Sequence, residues 1–154
     1  MAKSSKVKSQ SSLEYLLIVV LTFAVIIPAA YLFFSYSKES TEEIKDSQTL
    51  KIGRDIVDTA ESIFYSGQGS KTVLEINIPD NVVNVVIIDG RELVFNISTS
   101  FGVSEIVFIS NVNMTTAGSN CNLNVCSIPN LAAQGFQKVK VEAINQNSVS
   151  ITTI

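Results

Sequence analysis

The chain has 154 residues, a formal net charge of −3, and neither His nor Trp. That is enough for one modest domain plus an extra segment. Lys and Arg form no patch beyond the first residues, which leaves nucleic-acid binding without its electrostatic footprint. With no His, and only Cys121 and Cys126 as cysteines, four-coordinate zinc would lack its usual ligands. Neither a metal nor a cofactor is expected.

Lys3, Lys6 and Lys8 dot a short leader, residues 1–9. Gln10-Ser11-Ser12-Leu13-Glu14-Tyr15 follows, and from Tyr15 to Ser37 the chain carries no charge. Such a run can cross about 30 Å of hydrocarbon as a helix. Pro28 lies inside it and removes one backbone hydrogen bond, which predicts a kink or a local loosening. Spanning helices tolerate this. Lysines precede the run, while Glu39, Glu42 and Glu43 follow it. That asymmetry places the N-terminus in the cytoplasm and the bulk of the chain outside. No small-residue cleavage pattern follows Phe34, so the leader differs from a conventional secretory signal.

The helical pattern continues beyond the run. Ile44, Ile52, Ile56, Val57, Ala60, Ile63 and Phe64 mark one apolar stripe among Lys, Asp and Glu. The glycines of Ser66-Gly67-Gln68-Gly69-Ser70 supply the stop. One helix from about Ser12 to about Tyr65 is expected, roughly 80 Å long. Residues 10–37 form its apolar part and residues 38–66 its amphipathic part.

Residues 70–154 change character. Thr72–Ile78, Val82–Ile88, Arg91–Ser98 and Ser104–Ser110 read as strands, with Asp89-Gly90 as a two-residue hairpin turn. Lys138–Ile144 and Ser148–Ile154 form a last hairpin across Asn145-Gln146-Asn147. Asn111 to Asn130 is polar and reads as a long loop. The fold class is α+β: a long N-terminal helix packed, by its amphipathic half, on an antiparallel β-sheet head of five or six strands.

Few residues offer chemistry. Asp55 and Asp58, like Glu42 and Glu43, belong to a solvated helix face, and no base stands beside any Ser or Thr to activate it. The chain is not expected to be an enzyme. Cys121 and Cys126 suit a short-loop disulfide if this part lies outside the cell, and two free thiols otherwise. Asn96-Ile97-Ser98 and Asn113-Met114-Thr115 fit the N-glycosylation acceptor pattern. Asn113 falls in predicted loop, and Asn96 near a strand end.

Glu14 stands out most. An acidic side chain costs on the order of 3 kcal/mol at a membrane centre and less near the interface. It either lies at headgroup level or pairs with a positive charge from another chain. A cut between Ser9 and Gln10 would create such a charge, the new amine of Gln10, one helical turn from Glu14 or from a neighbour's Glu14.

Gln10-x-Ser12-x-Glu14-Tyr15-Leu16, preceded by lysines and followed by an apolar helix, resembles the class III signal peptide of archaeal type IV pilin-like proteins. The resemblance covers about the first thirty-five residues closely, and the remainder in architecture. It places the acidic residue at the fifth position after the cut. It implies processing by a prepilin peptidase at Ser9 and Gln10, and a precursor held in the membrane. Self-association into a helical filament at the cell surface would follow, with the apolar helices at its centre. A membrane-anchored extracellular binding module, or a minor pilin, is the alternative.

Overall fold

The computed structural model describes residues 5–116 and 121–154, with side chains from Leu13 onward apart from Glu39. The fold is α+β. One helix, α1 (Ser5–Ser66), precedes nine strands among the described residues. The chain divides into a first unit ending at Glu42 and a second, Glu43–Ile154. The helix continues unbroken through Pro28. Gly67 ends α1 with φ 99°, and its N–H donates to Phe64 C=O at 3.2 Å. Left-handed backbone is available to glycine without a Cβ clash, which is why the stop falls there.

The strands of the second unit are β1 (Lys71–Ile78), β2 (Val82–Ile88), β3 (Glu92–Thr99), β4 (Gly102–Ile109), β5 (Asn113–Thr115), β6 (Cys121–Asn122), β7 (Val125–Ser127), β8 (Gly135–Asn145) and β9 (Ser148–Thr153). They form two sheets, ordered β1-β8-β9-β5 and β4-β3-β2-β7-β6. Every pair is antiparallel except β5 with β9, which is parallel. The expected hairpin at Asp89-Gly90 is present. Both residues have positive φ, 52° and 70°, and Arg91 N–H donates to Ile88 C=O at 3.1 Å. That is the primed turn whose twist matches the flanking strands.

The stretch 111–130 differs from the expected loop, because it contributes β5, β6 and β7. These strands are only two or three residues long, too short to show a period of two. Their anchors are isolated apolar residues: Val112, Met114 and Ile128 are buried, with Leu131 just beyond.

The core gathers one stripe of α1 and the inner face of both sheets. Ile52, Ile56, Val57 and Ala60 of α1 join Ile76 and Ile78, Val85 and Ile87, Leu93 and Phe95, Val139 and Val141, Val149 and Ile151. Ile44, assigned to the same stripe by periodicity, is instead 57% exposed. Phe95 and Phe108 stack edge to face with ring centroids 5.9 Å apart. Phe108 lies so close to Gly53 of α1 that a Cβ there would fall 2.1 Å from its ring.

Polar contacts tie the helix to the head. Glu61 accepts from Asn111 N–H at 2.9 Å and from Asn111 Nδ2 at 3.2 Å. Asn81 Nδ2 donates to Asp46 Oδ1 at 3.3 Å. Lys45 Nζ stands 2.7 Å from Asp80 Oδ1, and that hydrogen-bonded ammonium holds the Asp80 carboxyl below its ordinary value of 3.8. A carboxylate depressed on folding stabilises above its unfolded pKa, and the contribution fades as pH falls through the folded value. Both partners are part-exposed, so the effect is small. The acid-side loss of thermal stability is therefore expected to be shallower in Asp80→Asn than in the wild type. Thermal melts at neutral pH and below the carboxylate range check this; equal slopes would contradict it.

Candidate functional site

The first candidate is the apolar part of α1. From Leu13 to Tyr36 the large apolar side chains, Val19 apart, are 53–77% exposed. The helix is long and apolar enough to cross a membrane, and none of its most apolar stretch is buried. Thr22 Oγ1 donates to Ile18 C=O at 2.8 Å. The hydroxyl is thereby satisfied within its own helix and makes no demand on an apolar surrounding. Exposed apolar surface of this extent is of the kind that meets lipid or other helices.

Glu14 lies on this helix, exposed, between exposed Leu13 and Tyr15. Ser9 and Gln10 fall within the helical span Ser5–Ser66, but their side chains lie outside the described ones. The pairing of the Gln10 amine with Glu14 lies outside the described residues.

The second candidate is the end of the head where two tight turns meet. Cys121 and Cys126 face each other across the β6–β7 hairpin and are joined by a disulfide, with Cα atoms 3.9 Å apart. Leu123 and Asn124 turn the hairpin with φ 46° and 68°. A leucine in left-handed backbone is unusual, and here it places a side chain 92% exposed at the tip. Asp89 N–H donates to Asn124 C=O at 2.9 Å, docking this turn on the β2–β3 turn. An open hollow lies between them, lined by Asp89, Gly90, Asn113, Met114 and Thr115 together with the hairpin. Asp89 is its one ionisable group among the described residues.

The two glycosylation triplets occupy different surroundings. Asn113 opens β5 and is exposed at the rim of this hollow. Asn96 is half-buried in the middle of β3, paired with Asn84 on one side and Glu105 on the other, and its Oδ1 is buried without a partner. Asn113 is therefore the more accessible acceptor. Asp55, Asp58, Glu42 and Glu43 are all exposed on α1, and no group of His, Cys, Asp and Glu suited to a metal occurs among the described residues.

The class defined by these features is an α+β protein with a membrane-length apolar helix leading into a β-rich head. No protein-family model, curated protein or solved structure matches this chain.

Proposed function

We propose that this chain is the precursor of a structural subunit of an archaeal type IV pilus or a related surface filament. A prepilin peptidase cuts between Ser9 and Gln10, and the subunit polymerises through its apolar helix. The observation that carries this reading is the contrast along one helix. Ile52, Ile56, Val57 and Ala60 are buried in the head's core, while the described large apolar side chains from Leu13 to Tyr36, Val19 apart, are exposed. Such a surface needs lipid first and, outside lipid, the same helix of other subunits. Glu14 at its start supplies the charge that sets register against the Gln10 amine.

The test is the N-terminal residue of the exported protein, read by mass spectrometry, together with its presence in sheared filaments. A mature chain beginning at Gln10 is expected; a chain that keeps residues 1–9 would overturn the proposal.

A second reading, an anchored extracellular binding module, retains the head and drops polymerisation. The feature that favours it is Leu123, held outward on the disulfide-tied hairpin. Under that reading the chain stays with the membrane and is absent from the sheared fraction.

A further inference from the structure

We propose that β4 is an edge on which a second copy of this chain adds a strand, and that the strand added is β1. The inference rests on the filament reading and concerns how neighbouring heads join.

Hydrogen-bond parity selects the residues. Ser110 N–H donates to Arg91 C=O at 2.8 Å, and Glu92 is registered with Ile109. Antiparallel bonding alternates along a strand, so Gly102, Ser104, Ile106 and Phe108 bond to β3. Val103, Glu105, Val107 and Ile109 turn N–H and C=O toward the free side. Those same residues carry the outer-face side chains: Val103 is 70% exposed, Val107 48% and Ile109 75%. Inward from them, Val94 and Val86 continue the apolar row across the sheet.

Edge strands are ordinarily blocked by Lys, Pro, bulges or shortness. β4 has eight residues, no Lys and no Pro, and its register with β3 is unbroken. Its single charge is Glu105. The outer face of the other sheet is of a different kind, threaded by the ion pairs Lys138–Glu75 and Lys140–Glu142.

The chain also carries a matching strand. Among the described edges, β5 and β6 have three and two residues, whereas β1 has eight. Ala143 N–H donates to Ser70 C=O at 2.9 Å, and Lys71 is registered with Glu142. By the same parity, Lys71, Val73, Glu75 and Asn77 face the free side of β1, and all four are exposed. Antiparallel pairing of Lys71 with Glu105 sets Val73 opposite Val103, giving one opposite-charge pair and one β-branched pair on a common face. A contact between β4 of one copy and β1 of the next is heterologous and need not close, which suits an open filament.

Val103→Pro in the full-length chain is the test, since Val103 faces Val73 in this register. The Val103 N–H points outward, so the ring removes no bond of the β3–β4 ladder and removes the donor that a neighbour would use. The variant is expected to be exported with its disulfide formed and to be lost from sheared filaments. Incorporation at the wild-type level would overturn the proposal.

Glu105→Lys and Lys71→Glu separately deplete filaments, and the two combined in one chain restore them. Any cost to folding from Lys71→Glu, which faces Glu142, is common to the single and double variants. Recovery in the double variant therefore reports the contact between copies, and its failure would overturn the assignment to β1. Wild-type chain missing from filaments would overturn the filament reading itself. Wild-type filaments that accept Val103→Pro would overturn only the edge contact.

Discussion

Glu14→Gln is expected to leave the chain in the membrane and to remove it from filaments. The substitution keeps the shape of the side chain and deletes its charge. Because an ionised carboxylate costs up to about 3 kcal/mol in hydrocarbon, insertion becomes easier. On the proposed filament reading, the loss is a charge-assisted hydrogen bond to the Gln10 amine, a kind worth about 1.5–3 kcal/mol. That is roughly ten- to a hundredfold in the equilibrium for adding each subunit, and it recurs at every addition. No other charge lies between Tyr15 and Ser37 to replace it. The readout is the ratio of chain in the membrane to chain in the sheared fraction. An unchanged ratio would show that Glu14 sits at headgroup level and does not set register.

Phe95→Ala is expected to cost the head about 3–5 kcal/mol, the usual range for truncating a buried aromatic residue. The ring is fully buried and stacks edge to face on Phe108. Phe108 in turn fills the space above Gly53, where α1 has no side chain. Removing Phe95 takes away its own burial and the support of the ring that meets the helix. A domain of this size has total stability of only about 5–15 kcal/mol, so a large fall in the unfolding midpoint should follow. Denaturant or thermal unfolding measures it, and a loss below about 1 kcal/mol would mean that the cavity collapses or that this stack does not exist.

Much of the architecture was legible before any coordinates. The uncharged stretch Tyr15–Ser37 and the spacing Ile52, Ile56, Ala60 both announce helix, because periodicity over many residues is a strong signal. Gly67 announces its end, and Asp89-Gly90 announces a primed turn, because each answers to backbone sterics within a few residues. Ile44 was misjudged for an equally physical reason. A spacing of eight residues drifts about 80° around a helix, which carries Ile44 off the face that Thr49, Ile52, Ile56 and Ala60 bury.

The candidate site was legible unevenly. Glu14 and the two cysteines could be singled out by residue type and position. The exposed leucine at the hairpin tip could not, since left-handed backbone at Leu123 runs against its preference and is held there by the disulfide and by the bond from Asp89. Asn96 and Asn113 carry the same acceptor pattern, and the sequence already set them apart by placing Asn113 in loop and Asn96 near a strand end. The structure moves Asn96 to the middle of β3, paired on both sides, and leaves Asn113 exposed at a rim.

The sequence by itself determined the long helix, its apolar and amphipathic parts, its stop and the principal strands. These depend on interactions between residues close along the chain. Only the tertiary structure decided that the strands divide into two sheets, that β5 runs parallel to β9, that Gly53 makes room for Phe108, and that β4 and β1 stand as the long edges among the described residues. Each of those depends on which distant segments bury one another's apolar faces, and local pattern carries no record of that choice.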